Sequence, residues 1–391
     1  MKKSILFLTN AYPDFDSSYR GIFIKKMASL LKTDGYDIAV VTPKIYKESR
    51  YVEEQDGVKV YRFPFFSGNK LLIEYHRIPY LRMVSYYLAG ISFALYALLK
   101  HRCRLIHVHW AIPTGLIGVL AGALLRKPFI VTIHGSDFRL GTDPSSVLKK
   151  VFLYVCKRAR HLHCVSGSIK RELENLGING EKMSTFPMGI EGSFLNNREE
   201  HERNFDTRPI TILSNRNLFS FYNVSLFIRA IPLVLKEESK VKFIIAGDGQ
   251  EREKLEKEVK DLKIGNFVQF LGQIPHEAMA KLLGQTDIYV STSLYDGTSV
   301  SLLEALASGA FPVVTDIPSN REWISDGENG FLVPTDKEEF LAKRILEAIR
   351  NKDLVKKSKK KNLHLVEEKA LWSVSAEKTK RIYEEMLHSK N

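Results

Sequence analysis

Short runs rich in β-branched and aromatic residues alternate with longer stretches of helical periodicity along almost the whole chain, and the alternation runs twice. Such a pattern calls for parallel sheets flanked by helices, because two parallel neighbours need a crossover long enough to hold a helix. In the first half, strands are expected at 4–9, 38–42, 58–63, 105–109, 129–133, 161–165 and 183–186. Helices fall between them at 21–32, 81–100, 114–125, 147–158 and 168–176. Residues 196–208 are polar and aperiodic apart from Phe205 and read as a linker. The pattern then restarts, with strands at 210–214, 241–246, 268–271, 288–291, 311–315 and 330–333 and helices at 224–236, 251–262, 276–283, 301–307 and 337–350.

The expected fold class is therefore α/β, with two Rossmann-like doubly wound domains at 1–195 and 205–370. The stretch 371–391 is amphipathic at helical spacing and is expected to pack back on the first domain. Open parallel sheets bind ligands at the carboxyl ends of their strands, so the active site is expected in a cleft between the two domains.

Composition narrows the class. At 391 residues, 44% hydrophobic and 26% charged, the chain can bury enough surface to offset chain entropy, which excludes disorder, and it is too long for one core of ordinary size. Cys103, Cys156 and Cys164 are too few and too irregularly spaced for a disulfide framework or a metal site, so a reducing cytoplasm is expected. After Lys2 and Lys3 only six residues precede the polar turn at Asn10, too short for a secretory leader. The apolar run at 83–99 is at the lower limit for crossing a bilayer and carries Ser85, Tyr86, Tyr87 and Ser92, so a buried helix is expected.

The net charge of +13 is unevenly placed. Residues 1–195 carry 28 Lys and Arg against 15 Asp and Glu, whereas the remainder carries 30 against 30. A basic first half could attract nucleic acid, an anionic substrate or an anionic membrane. Nucleic acid is the weakest of the three, since there is no zinc finger, no aromatic-basic ribonucleoprotein signature and no basic helix with heptads.

The most informative stretch runs from Tyr295 through Asp296, Gly297, Thr298, Ser299, Val300 and Glu304 to Gly309. A strand ends near Ser291, a glycine-containing turn follows, and a helix opens near Ser301 with its positive dipole end at the turn. Residues 298–300 can offer backbone N–H groups to a phosphate, while Asp296 and Glu304 can accept from sugar hydroxyls. Taken singly, Asp296 and Ser299 could merely cap the helix, Glu304 could lie on a solvated face, and Gly309 reads as a C-cap. His107 and His109 share one strand face, but no third ligand is apparent, so no zinc site is expected. Gly247-Asp248-Gly249 lacks the third glycine of a dinucleotide fingerprint, which argues against a dehydrogenase. The lysine run at 356–361 reads as a solvated helix face.

These residues, in this order, resemble the retaining GT-B glycosyltransferases of family 4. Asp296 and Glu304 match the family's Glu-x7-Glu signature, within a DGTSxSLLEALASG variant of its EGFGLxxxEAMAxG motif. Gly247-Asp-Gly249-Gln-Glu-Arg252, Phe270-Leu-Gly272, Pro187-Met-Gly189-Ile-Glu191, Val165-Ser166 and Glu328-Asn-Gly330-Phe-Leu-Val333 also stand in family order, and the resemblance covers nearly the whole chain.

The resemblance implies a metal-independent hexosyltransferase without a cofactor, using a nucleoside-diphosphate sugar as donor. It gives Glu304 the donor ribose, Asp296 the transferred sugar, and the backbone of Gly297, Thr298 and Ser299 the sugar and diphosphate, with Val300 and Gly272 beside them. Arg216 matches the family's diphosphate-binding arginine. The partner lysine of the family is missing. Asn223 or Tyr222 could replace it as a neutral donor, Arg20, Lys25 or Lys26 could reach across the cleft, or activity could be reduced. In the first domain Gly21 matches the glycine-rich first loop and His134 the cleft histidine, and His109, Trp110 and Asp137 are assigned to the acceptor side. Expected partners are the nucleotide-sugar donor, a glycan or lipid-linked acceptor and an anionic membrane surface, with no nucleic acid. The expected location is the cytoplasm, peripherally on the inner face of the cell membrane.

Overall fold

The computed structural model describes residues 3–15, 18, 20–70, 80–142, 147–195 and 208–388, so most of the expected linker lies outside the described residues. The chain forms two compact units, one of residues 1–187 with 375–391 and one of residues 188–374.

The first unit opens with β1 (Ser4–Leu8), α1 (Ile22–Thr33), β2 (Asp37–Pro43), β3 (Val52–Gln55) and β4 (Val58–Phe63). It continues through α2 (Tyr80–Lys100), β5 (Leu105–His109), α3 (Gly115–Leu125), β6 (Phe129–Ile133), α4 (Ser136–Thr142), α5 (Val147–Arg158), β7 (His161–Cys164), α6 (Gly167–Asn175) and β8 (Met183–Thr185). The eight strands lie in the order β3-β4-β2-β1-β5-β6-β7-β8. All pairs are parallel except β3 with β4. The central strands β1, β5 and β6 are buried throughout, which is why β1 and β6 read as near-continuous apolar runs, while β5 carries His107 and His109.

The second unit contains β9 (Ile210–Ser214), α7 (Val224–Leu235), β10 (Val241–Ala246), α8 (Arg252–Asp261), β11 (Val268–Gly272), α9 (His276–Gly284) and β12 (Ile288–Ser291). α10 (Val300–Ser308), β13 (Phe311–Thr315), β14 (Phe331–Val333), α11 (Glu338–Arg350), α12 (Lys352–Lys369) and the first turn of α13 (Trp372–His388) follow. Its six strands are all parallel, in the order β11-β10-β9-β12-β13-β14. One core cluster joins the sheet to α7, α8 and α11 and a second joins it to α9, α10 and α12, so both faces are covered.

Three elements depart from the sequence reading. β3 forms a hairpin with β4 through Asp56 and Gly57, both at positive φ, and this Asp-Gly pair is the sequence signal for such a turn. α4 adds a short helix after β6. α12 fills the stretch between 350 and 372, with Val355, Ser358, Asn362 and Val366 inward at helical spacing and most of the lysine run outward.

From Ser375 onward α13 belongs to the first unit. Tyr383 is buried there beside Tyr36 and His107, while Lys380 pairs with Asp34 and Glu384 with Lys3.

Candidate active site

In the second sheet the strand order reverses between β9 and β12, so the loops leaving these two neighbours diverge and open a crevice at the carboxyl edge. The loop after β9 carries Arg216 and the loop after β12 carries residues 292–299. They meet there. Arg216 Nη2 donates to Asp296 Oδ2 at 2.5 Å and Nη1 donates to Ser299 Oγ at 2.6 Å, with the guanidinium 4.2 Å from the centre of the Tyr222 ring. Arg216 is buried. Burial works against its charge, but Asp296, then Tyr222 and Tyr289, more than offset this and hold its pKa above the usual arginine value.

Neighbouring loops fix that arginine. Gly247, at φ +139°, passes so close that a Cβ would lie 2.4 Å from the Arg216 carbonyl oxygen, and one on Gly249 would meet the Leu218 carbonyl at the same distance. The Leu218 N–H donates to the Asp248 carbonyl and the Glu251 N–H to that of Leu218. The Gly-Asp-Gly motif thus shapes the seat of Arg216, a role that spacing alone does not reveal. Gly272, at φ +65°, accepts from Gly247 N–H through its carbonyl, tying β11 to the same loop.

Ser299 caps α10, its Oγ accepting from Leu302 N–H, so one hydroxyl serves both helix and arginine. Gly297 is buried, Thr298 half-buried and Val300 exposed at the helix start. Glu304, one turn into α10, is buried and not on a solvated face, and its Oε1 lies 3.0 Å from His276 Nε2 at the start of α9. His276 carries no motif of its own in the sequence, and only the fold brings it to Glu304. Gly309 ends the helix at φ +81°, the left-handed C-cap its sequence position indicates. Of the two neutral donors named for the missing lysine's place, Asn223 donates to the Thr335 carbonyl at 3.0 Å and Tyr222 supplies the ring under Arg216.

In the first sheet the order reverses between β1 and β5. Gly21 adopts φ +68°, and a Cβ there would lie 2.3 Å from the Ala11 carbonyl oxygen, so its close approach is to the loop after β1. Trp110 and His134, after β5 and β6, stack obliquely at 4.6 Å, and Phe23 of α1 packs against both. Phe23 is a neighbour that the motifs do not single out.

Asp137 lies between the same two loops. Its carboxylate is buried, with Oδ2 accepting from Ala111 N–H at 2.7 Å and Oδ1 from His134 N–H at 2.9 Å. It clamps the loops after β5 and β6 to each other. Burial raises its pKa to about 6 against the lowering effect of those N–H groups.

Behind His134 lies a row of buried histidines. His134 Nε2 is 3.2 Å from His109 Nδ1, and His109 stacks on His107 at 4.2 Å. Beyond it the bonding directions follow from the final carbonyl. His163 Nε2 faces the Phe186 oxygen at 2.8 Å and must donate, so its neutral ring accepts at Nδ1 from the Thr132 hydroxyl. Thr132 Oγ1 then accepts from His107 Nε2, and His107 Nδ1 accepts from the Tyr383 hydroxyl. Burial pushes the pKa of His107 and His109 well down and that of His163 to about 3. Among the described residues, no group of three or more His, Cys, Asp or Glu is placed to hold a metal ion.

The family-model matches, with the fold shared with solved structures, place the chain among the GT-B glycosyltransferases. The family model for glycosyl transferases group 1 matches residues 196–364 and that for glycosyltransferase family 4 matches residues 21–193. The chain is 26% identical over 379 residues to alpha-monoglucosyldiacylglycerol synthase of Streptococcus pneumoniae, covering 92% of this chain and 80% of that enzyme. Among solved structures it is similar to sucrose-phosphate synthase of Thermosynechococcus elongatus, with a TM-score of 0.79 at 17% identity over 99% of this chain and 100% of that one. It is also similar to HepE of Anabaena in complex with UDP, with a TM-score of 0.77 at 16% identity over 98% and 100%. The chain belongs to the glycosyltransferases of group 1 and family 4.

Proposed function

We propose that the protein moves a hexose from a nucleoside-diphosphate sugar to a hydroxyl acceptor with retention of anomeric configuration, in the synthesis of a cell-surface polysaccharide or glycolipid. The observation that carries this reading is the convergence of Arg216, Asp296 and the Ser299-capped start of α10 where β9 and β12 diverge. A helix N-terminus beside a buried guanidinium favours a diphosphate. Solved relatives crystallised with UDP, with UDP and glucose, and with UDP-glucose support a nucleotide-sugar donor. The lipid-glycosylating name of the pneumococcal relative supports a lipid-linked or surface acceptor.

In this reading Glu304 holds the ribose, the 297–300 backbone and Arg216 hold the diphosphate, and Asp296 faces the transferred sugar. Breaking the anomeric C–O bond leaves negative charge on the diphosphate, which Arg216 and the helix start stabilise. The acceptor oxygen bonds to the anomeric carbon on the same face, and its proton passes to the departing phosphate oxygen. His134 and Trp110 serve the acceptor side, with the buried His109 packed behind His134, and the enzyme works in the cytoplasm at the inner face of the membrane.

Incubation with UDP-, GDP- and ADP-sugars, with and without acceptor, tests the reading. Acceptor-dependent nucleotide release from one donor supports it. A changed sugar without acceptor would indicate an epimerase, and binding without turnover a nucleotide-sugar binder, and either result overturns it.

A further inference from the structure

α2 inverts the usual pattern of a surface helix. Its inward stripe, Tyr86, Gly90, Ala94 and Ala97, packs on the first sheet and on α3, so closely that a Cβ on Gly90 would lie 2.5 Å from Ile117 Cδ1. The outward stripe at the same helical spacing should be polar on a helix facing water. Instead it reads Leu81, Val84, Leu88, Ser92, Tyr96 and Leu99, with Leu81 85% exposed and Leu88 and Leu99 65%. No charged residue interrupts α2 between Arg82 and Lys100.

The same inversion continues next door. α3 packs beside α2 and presents Leu120 and Leu124 outward, the latter 66% exposed. α5 packs on α3 and shows Val147 and Tyr154 alternating with Lys150, Lys157 and Arg158. Not one Asp or Glu occurs in α2, α3 or α5, which together carry six Lys and Arg. An apolar band edged by basic residues is the pattern of a surface that enters the headgroup layer of an anionic bilayer.

We propose that the outer faces of α2, α3 and α5 form a docking surface for an anionic phospholipid membrane, with α2 lying in the plane of the interface. α2 is long and apolar enough to cross a membrane, but its inner stripe is committed to the first sheet and α3, so it lies along the surface. Charge complementarity decides between lipid and a second copy of the chain. A symmetric dimer would press this face against itself, setting like charges together.

Flotation with vesicles tests the proposal without donor or acceptor, so its result is separable from that of the reaction assay. The chain is expected to float with phosphatidylcholine vesicles doped with phosphatidylglycerol, not with pure phosphatidylcholine, and to be released by salt. L88E/L124E is expected to abolish binding with an unchanged circular dichroism spectrum. K150S/K157S, which leaves the apolar band intact, is expected to weaken binding about tenfold or more. Failure to bind the anionic vesicles would overturn the proposal. So would undiminished flotation of both variants, or a wild-type dimer that L88E makes monomeric while neither binds lipid.

Discussion

One guanidinium joins the two loops of the second unit's crevice: Arg216 bonds Asp296 at 2.5 Å through one nitrogen and Ser299 at 2.6 Å through the other. The carboxylate expected to face the sugar and the cation expected to face the phosphate thus hold each other. Replacing Arg216 by Ala removes a diphosphate donor and leaves a largely buried carboxylate unpaired. We expect kcat to fall by about a hundredfold or more and stability by about 3 kcal/mol. Arg216→Lys keeps the charge but loses the fork, so it should recover stability better than turnover. Steady-state kinetics and urea unfolding of the two variants separate these effects.

Gly247→Ala tests how the arginine is seated. The added Cβ would meet backbone 2.4 Å away at φ +139°, where no side chain can move aside. A loss of about 2 kcal/mol or more is expected, together with weaker donor binding. Gly265→Ala, with nothing within 4 Å of the new Cβ, should change stability by less than about 0.5 kcal/mol. Thermal unfolding and nucleotide titration of the pair provide the comparison.

The buried histidines set the response to acid. His163, lowered to about 3, and His161, lowered to about 4, bind protons more readily unfolded than folded. His107 and His109 shift in the same direction. Stability from these groups is complete above the unfolded value near 6.5 and is lost as pH falls from there toward 3. Asp137, raised to about 6, acts oppositely, losing stability as pH rises from 3.8 to about 6. Burial also lowers His134 to about 3 and raises Asp14, and these five histidines outweigh the two carboxylates, so the midpoint of urea unfolding should fall steadily between pH 6.5 and 4.5. A flat profile would contradict this, and His163→Gln should make the slope shallower.

Tyr383→Phe removes the first donor of the bonded row and leaves His107 Nδ1 buried without its partner. About 1–3 kcal/mol should be lost. Amide exchange in α13 should rise before exchange in β5 or β7 does, as hydrogen-exchange mass spectrometry would report.

Much of this architecture was legible because its signals are local. Periodicity placed most strands, and a turn followed by a capped helix marked Ser299 and Glu304. Adjacency was less legible, because Arg216 and Asp296 lie 80 positions apart and meet only because β9 sits beside β12. The bond from Ala111 N–H to Asp137 is equally illegible, since nothing in a His-Gly-Ser-Asp run says that its carboxylate returns to Ala111. His276 and Phe23 carry no motif and become visible only through contact with Glu304 and with Trp110 and His134. α12 was passed over because the lysine run that names its solvated face obscures the sparse inward stripe from Val355 to Val366.

Hydrogen–deuterium exchange with UDP, GDP and ADP in turn tests the donor site most directly. For one nucleotide the strongest protection is expected over residues 215–218 and 297–304, and it should disappear in Arg216→Ala. Protection centred elsewhere, none with any of the three, or protection that survives the substitution undiminished would contradict the assignment.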